Sequence, residues 1–212
     1  MRYAIFSDIH DNLTALQQVL AHISTQAVDA CFCLGDIGDD ACVSLLRDRE
    51  MPTVFGNGEA YSWRELHPEN RQWVLGLPPM IREPEFWLTH AGPFWPHKIR
   101  SLNDFVNNGL GRARHKPFPY LHYEEDSLWA TIAALTEADV TLMFHGHTHR
   151  QLAWRFMRSN KLQRSYNPLL HLKPGETYVV GVGSVGSPND GPGACYAIFD
   201  SAAQTVELIR LV

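Results

Sequence analysis

The stretch RYAIFSD (residues 2–8) is a short apolar run that stops at an aspartate. Such a run is typical of a buried β-strand, and the acid marks the point where the strand reaches a polar edge. Directly after it, apolar residues recur with the spacing of one helix face, and Asn12 or Thr14 is placed to cap that helix. The apolar positions are Leu13, Leu16, Val19, Leu20 and Ile23. We therefore predict a strand followed by a helix as the first structural unit.

The same alternation continues through the middle of the chain. The predicted strands cover residues 29–36, 52–56, 85–92 and 140–149, and the predicted helices cover residues 41–49, 62–76 and 124–138. After residue 150, short runs such as TYVVGVG and TVELIRL predict further strands separated by Pro/Gly turns. The alternation favours an α/β fold with parallel strands, and no repeat or linker interrupts it. We expect residues 1–212 to form a single domain.

Polar side chains stand where these predicted strands end. They are Asp8 and His10, Asp36, Asn57, His90, and His147 with His149. Every one of them offers an oxygen or nitrogen donor, and none is a lysine or arginine. Because ligands bind at the carboxyl ends of parallel strands, we expect these side chains to converge on one site.

Two carboxylates, four imidazoles and one carboxamide form a ligand set for divalent transition metals. Seven donors are too many for one tetrahedral ion but suit two ions that share a bridging aspartate. Two dications, two carboxylates and a bridging hydroxide leave a net charge of roughly +1, which favours an anionic substrate such as a phosphate.

The residues alone leave two alternative interpretations open. Asn57-Gly58 lies between apolar residues and is also a strong signal for a tight hairpin turn. His145 has the same parity as His147 and His149, so three alternating histidines are a possible mononuclear zinc site. Gly146 indicates that the regular strand ends there, which favours packing or a supporting role for His145.

Five spaced motifs carry a resemblance to a known family. They are DIH (8–10), GD (35–36), GN (56–57), THAG (89–92) and GHTH (146–149). In this order they resemble the calcineurin-like metallophosphoesterases, in particular the small bacterial and archaeal phosphodiesterase-type members. The segment GSVGSPNDG (183–191), followed by CYAIFD, is similar to a Gly-rich segment of those short members. The resemblance implies a four-layer αββα sandwich of two mixed β-sheets flanked by helices.

The resemblance also implies a role for each ligand. Asp8, His10 and His149 would bind the first of two divalent ions, and Asn57, His90 and His147 the second. Asp36 would bridge them, and Asp36, Asn57 and His90 would take part in catalysis. In such enzymes a metal-bound hydroxide attacks the phosphorus of a phosphate ester. The mixed nitrogen and oxygen set admits manganese, iron, nickel, cobalt or zinc.

One departure from the family pattern bears on the substrate. Many members have a histidine after GN that is thought to protonate the leaving group, whereas this chain has Gly58 there and keeps Glu59. Proton donation typically contributes about 10²–10⁴-fold to such a step. We therefore predict hydrolysis of phosphodiesters or activated phosphate esters and nucleotides. The alternatives are a phosphomonoesterase or protein phosphatase of the same fold, or a non-catalytic metal-binding scaffold like the retromer subunit that resembles this family.

Composition narrows the class of protein. The net charge of −5 argues against a general nucleic-acid or anionic-membrane surface. No apolar run reaches the roughly 18 residues that a membrane span needs, and the apolar start is too short for a signal peptide. The four cysteines form no disulfide-dense pattern. We expect a reduced, cytoplasmic protein whose partner is a phosphate ester.

Two further segments carry weaker signals. Residues 93–123 are proline-interrupted and contain basic residues and aromatic residues. This segment is either an insertion that forms part of the substrate wall or a solvated loop. The basic residues are Lys98, Arg100, Arg112, Arg114 and Lys116, and the aromatic residues that can stack on a base are Phe94, Trp95, Phe118 and Tyr120. The run GVGSVG (181–186) fits a dinucleotide-binding pattern, but Pro188 and Pro192 exclude the helix that would have to follow, so we expect a tight loop near the metal site.

Overall fold

The computed structural model describes residues 1–108 and 117–211. The helices are α1 (Leu13–Ile23), α2 (Asp40–Arg47), α3 (Asn57–Ser62), α4 (Pro68–Leu75), α5 (Leu102–Asn107) and α6 (Glu125–Glu137), with a 3₁₀ turn at Trp63–Glu65. The strands are β1 (Arg2–Phe6), β2 (Ala30–Cys33), β3 (Met80–Arg82), β4 (Trp87–Thr89), β5 (Leu142–His145), β6 (Gln151–Phe156), β7 (Leu162–Ser165), β8 (Leu169–His171), β9 (Thr177–Val182), β10 (Ala194–Asp200) and β11 (Thr205–Leu211).

The strands form two mixed sheets. The first has the order β2-β1-β10-β11-β8, and the second has the order β3-β4-β5-β9-β6-β7. In the first sheet β1 and β2 are parallel, with Phe6 opposite Cys33. In the second sheet β4, β5 and β9 are parallel, with Thr89 opposite His145. The carboxyl ends of β1, β2, β4 and β5 lead into the loops that carry six of the predicted ligands, whereas Asn57 lies in α3 and not at the end of a strand.

The two sheets pack face to face on an aromatic core. Tyr3 and Phe199 come from the first sheet, Phe144 comes from the second, and Phe86 precedes β4. The rings of Phe86 and Phe199 lie 5.5 Å apart and those of Phe86 and Phe144 lie 5.9 Å apart, both edge to face. This geometry is favourable for aromatic pairs, and these residues are almost fully buried.

Helices cover the outer faces of both sheets. Leu16 and Val19 of α1 and Leu46 of α2 share a buried cluster with Phe6 of the first sheet. Residues of α6, among them Ile132, pack against the outer face of β5 and β9. The order of layers is therefore helix, sheet, sheet, helix, which confirms the predicted αββα fold class.

The sequence prediction is wrong for two of the smaller elements. The predicted strand over residues 52–56 reduces to one bridge between Thr53 and Cys33. The predicted helix over residues 62–76 is split into the 3₁₀ turn and α4, because Pro68 forces the preceding residue into an extended conformation. Pro68 instead occupies the first turn of α4, where it is tolerated.

The hairpin reading of Asn57-Gly58 is also wrong. Both residues belong to the first turn of α3, and Gly56 is its N-cap. Neither has the positive φ angle that a tight hairpin turn of this type requires. In addition, part of the segment predicted to be irregular, residues 93–123, forms α5 with a serine cap at Ser101.

Within residues 1–108 and 117–211, no helix is long and apolar enough to cross a membrane.

Candidate metal centre

The loops after β1 and β2 are tied together by backbone hydrogen bonds. Asp8 N donates to Gly35 O at 3.0 Å, and His10 N donates to Asp36 O at 3.1 Å. Ile9 N donates to the same Asp36 carbonyl at 2.8 Å. These bonds place the side chains of Asp8, His10 and Asp36 at one edge, as the sequence predicts.

Most of the predicted ligands have an unusual backbone conformation. Five of the seven have positive φ angles: Asp8 (56°), His10 (47°), Asp36 (52°), His147 (61°) and His149 (55°). Residues other than glycine seldom adopt this left-handed region, although Asp and His are among those that do so most often. Each such residue costs of order 1–3 kcal/mol, and strain of this kind clusters at functional sites. The alternation of residues predicted a strand that includes His147 and His149. The structure instead places both residues in a loop after β5.

The first group of donors consists of Asp8, His10 and His149. The Nε2 atoms of the two histidines approach to 3.0 Å, and Asp8 Oδ1 lies 3.4 Å from His149 Nε2 and 3.8 Å from His10 Nε2. Two atoms that bind one ion at about 2.0–2.2 Å lie roughly 3–3.5 Å apart. The two spacings that involve His149 lie in this range, and the spacing between Asp8 and His10 is slightly longer.

The second group of donors consists of Asp36, His90 and Asp8, so Asp8 belongs to both groups. His90 Nε2 lies 3.2 Å from Asn57 Oδ1 and 3.5 Å from Asp36 Oδ1. The other oxygen of Asp36, Oδ2, lies 3.7 Å from His10 Nε2, which belongs to the first group. Each carboxylate oxygen of Asp36 therefore faces a different group.

His147 lies beside the second group. Its ring centroid is 5.2 Å from that of His90, and its side chain is 7% exposed. Its Nε2 atom is buried and has no hydrogen-bond partner among the described residues. Burial, reinforced by the neighbouring His90, lowers the pKa of His147 to about 3. A neutral, unpartnered imidazole nitrogen at this position fits a metal ligand, because burying it unpaired otherwise costs free energy.

Backbone carbonyls orient two of the imidazoles. His90 Nδ1 contacts Leu34 O at 2.7 Å, and His149 Nδ1 contacts Ser187 O at 2.6 Å. A ring N–H that donates to a carbonyl leaves the opposite nitrogen, Nε2, with its lone pair directed into the site. The ring orientations therefore suit metal binding at Nε2.

The charges around Asp8 favour its ionised form. Burial alone would raise the pKa of this carboxyl, but the imidazoles of His10 and His149 hold the pKa well below its usual range. The nearby Asp8 carboxylate in turn raises the pKa of His10. A buried carboxylate that attracts positive charge in this way also attracts a cation.

Glu59 is the acid that the family pattern places after the missing histidine, and it supports the site through the backbone. Its side chain is 3% exposed, and its two carboxylate oxygens accept three backbone N–H groups. The donors are Asp36 at 2.9 Å, Ile37 at 2.7 Å and Gly56 at 2.7 Å. Burial, with the nearby Asp36 carboxylate, raises the pKa of Glu59, while the N–H groups of Gly56 and Ile37 oppose that shift. Glu59 thus fixes the backbone of Asp36. Its place as the third residue of α3 is the sequence signal for this role, because a glutamate there can accept the N–H of the N-cap residue.

The GVGSVG run holds the loop after β1 and not a dinucleotide. Val185 N donates to Ser7 O at 2.9 Å, Gly186 N donates to Asp8 O at 3.0 Å, and Ser184 Oγ donates to Asp8 O at 2.7 Å. A Cβ atom at Gly186 would lie 1.8 Å from Ile9 O, so only glycine allows this approach. The segment lies next to the site as predicted, but these N–H groups bind backbone carbonyls.

His145 ends β5 and is fully buried. Its Nδ1 atom contacts Gly146 O at 2.9 Å, and burial lowers its pKa to about 4. Neither His145 nor His147 belongs to the two groups of His, Asp, Glu and Cys donors, and the Nε2 atoms of both are buried without a hydrogen-bond partner among the described residues. His145 differs because it lies within β5, whereas His147 and His149 follow the strand with positive φ angles. The three histidines therefore do not alternate along one strand, which agrees with packing for His145.

Two openings flank the site on either side of α3. The acidic cleft, of about 420 Å³, is lined by His10, Asp11, Asp36, Gly38, Asp39, Asp40, Gly58, Ser62, Glu65 and Leu66. The aromatic pocket, of about 230 Å³, is lined by Asn57, Tyr61, Pro117, Phe118, Tyr120 and His147. Gly58 and Ser62 face the cleft, whereas Asn57 and Tyr61, also four residues apart, face the pocket.

Some residues of the segment 93–123 pack in the core of the protein, and others line the aromatic pocket. The ring of Trp95 packs on the rings of Phe55 and Phe105, with centroids 5.2 and 5.7 Å away. Trp95 therefore packs within the protein and does not stack on a ligand. Lys98 and Arg100 are exposed. Arg112, Arg114 and Lys116 lie outside the described residues.

Metal binding should stabilise the folded protein. The donor groups described above come from loops that the unfolded chain does not bring together, so ions at 100 times their Kd contribute about 2.7 kcal/mol. For a chain of this length, that corresponds to a rise in Tm of roughly 5–10 °C. We expect the chelator-treated protein to melt lower by this amount in scanning calorimetry and to recover when Mn²⁺ is added. Equal Tm values with and without metal would contradict the assignment of these residues as ligands.

Known proteins resemble almost the whole chain. A model of the calcineurin-like phosphoesterase superfamily domain matches residues 1–204. An uncharacterized protein of Methanocaldococcus jannaschii is 27% identical over 244 residues, covering 98% of this chain and 86% of that protein.

Two solved structures extend the comparison. The metallophosphoesterase of Sphaerobacter thermophilus is 28% identical, with a TM-score of 0.71 over 100% of this chain and 89% of that one. An archaeal phosphodiesterase has a TM-score of 0.58 over the whole of both chains, at 14% identity. The second likeness shows a shared fold alone.

Proposed function

Since the chain belongs to the calcineurin-like phosphoesterase superfamily, it is a metal-dependent phosphoesterase, and we propose that it binds two divalent ions and hydrolyses phosphodiesters or activated phosphate esters. In this proposal Asp8, His10 and His149 hold one ion. Asn57, His90 and His147 hold the other, and Asp36 contacts both. Bound there, the ions would supply a nucleophile derived from water and would neutralise charge on the phosphoryl group.

The proposal of two ions rests on the two oxygens of the Asp36 carboxylate, which face different groups of donors. Its Oδ2 atom faces the group of His10, and its Oδ1 atom faces the group of His90. Gly58 N also donates to Oδ1 at 2.6 Å, which holds the carboxylate in this orientation. Asn57 Oδ1, at 3.2 Å from His90 Nε2, adds a neutral oxygen donor without adding charge. The residual positive charge then favours binding of a phosphate.

Gly58 carries the proposal on substrate preference. It lines the acidic cleft, and it places no side chain beside Asp36 Oδ1. Position 58 therefore offers no imidazole to protonate a leaving group. Esters whose leaving group departs without protonation, such as aryl esters, therefore suit this site better than alkyl monoesters.

A substrate panel tests the function directly. We expect the Mn²⁺-loaded protein to hydrolyse bis(p-nitrophenyl) phosphate and p-nitrophenyl phosphate, with turnover of ethyl phosphate lower by about 10² or more. Faster turnover of ethyl phosphate would favour the monoesterase alternative. Absence of turnover with every ester, in a protein that binds two ions, would favour the scaffold alternative.

Restoring an imidazole at position 58 tests the reason for this preference. A Cβ atom there would lie 2.9 Å from Asp36 Oδ1, so any side chain shifts that carboxylate slightly. Gly58→Ala is therefore the control for Gly58→His. We expect Gly58→His to raise the ratio of ethyl phosphate to diester turnover by about 10-fold or more over Gly58→Ala. An unchanged ratio would mean that the missing imidazole does not set the preference.

A further inference from the structure

The aromatic pocket is continuous with the proposed metal centre. Two of the residues that line it, Asn57 and His147, are proposed ligands of the second ion. Its other walls come from α3 and from the segment before α6, and they are Tyr61, Pro117, Phe118 and Tyr120. A phosphate ester held at the metal centre would therefore direct one of its substituents into this pocket.

The rings at the pocket differ in how they are held. Phe118 is buried and packs on Phe55 and Trp95, with its ring 5.7 Å from that of His90. The ring of Tyr120 lies 4.1 Å from that of His147 and 5.4 Å from that of Tyr123. These contacts fix one wall of the pocket against a proposed ligand.

Tyr61 provides the other side of the pocket. It stands four residues after Asn57 on α3 and is 76% exposed. Its ring makes no aromatic contact with any residue in the described part of the chain, although other aromatic residues line the same pocket. An exposed ring beside a phosphate site is available to stack on a planar ligand group.

The charges of the two openings separate their roles. The acidic cleft carries the carboxylates of Asp11, Asp39, Asp40 and Glu65. The described residues that line the aromatic pocket include no acid and no lysine or arginine. Among the described residues, the walls of the pocket therefore carry no charge that would repel an ester substituent or attract a second phosphate. Its volume of about 230 Å³ is below the 300–1,000 Å³ typical of drug-sized ligands, which suits one ring system.

We propose that the aromatic pocket binds a planar aromatic substituent of the substrate, an aryl group or a nucleobase, while the phosphate lies at the metal centre. This inference rests on the proposed function. Stacking on aromatic side chains contributes about 10-fold or more in affinity per ring, because every base or aryl ring presents a π-face. Tyr61 and Tyr120 would then determine specificity for the substituent that carries the ring.

Phosphonates test the pocket without turnover, because their P–C bond is not an ester. We would measure binding to the Mn²⁺-loaded protein by calorimetry with methylphosphonate, phenylphosphonate and a 5′-phosphonate analogue of adenosine monophosphate. We expect phenylphosphonate to bind about 10-fold more tightly than methylphosphonate. Tyr61→Ala should reduce this difference, whereas Tyr61→Phe should preserve it. Tyr166→Ala is the matched control, since Tyr166 is 64% exposed and lines neither opening.

Each outcome bears on a distinct statement. Equal affinity for methyl- and phenylphosphonate, or a preference that is unchanged in Tyr61→Ala, would overturn the pocket assignment. Binding of neither phosphonate would overturn it together with the phosphate site. An aryl preference in a protein that hydrolyses no ester would support the pocket and contradict the proposed function. If only phenylphosphonate binds more tightly than methylphosphonate, the result would support an aryl group. If the adenosine analogue also binds more tightly than methylphosphonate, it would support a nucleobase.

Discussion

Replacing Asp36 with asparagine should reduce kcat/KM for bis(p-nitrophenyl) phosphate by about 10³ or more. An amide retains one oxygen but loses the negative charge and the second donor, so it cannot serve both proposed ions. Replacing a residue that only supports a metal ligand already reduces metal affinity or activity by 10–100-fold. Replacing a residue that contacts both ions should reduce activity further. Metal analysis should find one ion or none in Asp36→Asn.

The substitution is designed to leave the fold intact. Asp36 has φ of 52°, and asparagine tolerates this left-handed conformation as well as aspartate does. The retained amide oxygen can still accept the N–H of Gly58. Asp139→Asn is the matched control, because Asp139 is an exposed aspartate with φ of 55° far from the site. Two ions retained at full activity in Asp36→Asn would contradict the bridging role.

Replacing Glu59 with glutamine should destabilise the protein by about 3–5 kcal/mol and also weaken metal binding. The carboxylate accepts the N–H groups of Asp36, Ile37 and Gly56 in a fully buried position. The amide NH₂ group of glutamine would face at least one of these donors and leave it unsatisfied, which is costly at such depth. The loss should appear as a shift of the urea midpoint.

A second measurement separates a positioning role from a purely structural one. At a temperature where Glu59→Gln is still folded, we expect its affinity for Mn²⁺ to fall by 10–100-fold, since the backbone of Asp36 loses its anchor. Glu85→Gln serves as the control, because Glu85 is exposed and its side chain makes no hydrogen bond within the described residues. Unchanged metal affinity in the folded variant would limit Glu59 to a structural role.

Several features were predictable from the sequence because they depend on local order along the chain. Apolar runs that stop at Asp8 and His90 mark the ends of parallel strands, and the carboxyl ends of such strands meet at one edge of a sheet. Helices α1 and α6 followed from their spacing of apolar residues, with Asn12 capping α1 through Ala15 N at 3.1 Å. The donor types alone indicated divalent metals.

Other features depend on contacts between distant segments, and only the tertiary structure decided them. Asn57-Gly58 has the local signature of a hairpin, but Glu59 binds the backbone of Gly56 and Asp36 and starts a helix there. The histidines of GHTH look like an alternating strand, yet His147 N donates to both oxygens of Asp8, at 3.2 and 3.0 Å, from a left-handed loop.

The sequence by itself therefore identified the candidate metal donors, because residue type and strand order are local properties. The tertiary structure alone decided how Asp36 divides its oxygens between two groups and which openings flank them. Both depend on α3, whose Asn57 and Tyr61 face the aromatic pocket while Gly58 and Ser62 face the acidic cleft. The physical reason is that a buried carboxylate 23 residues after Asp36 binds that residue's N–H group, and no pattern within either segment records this contact.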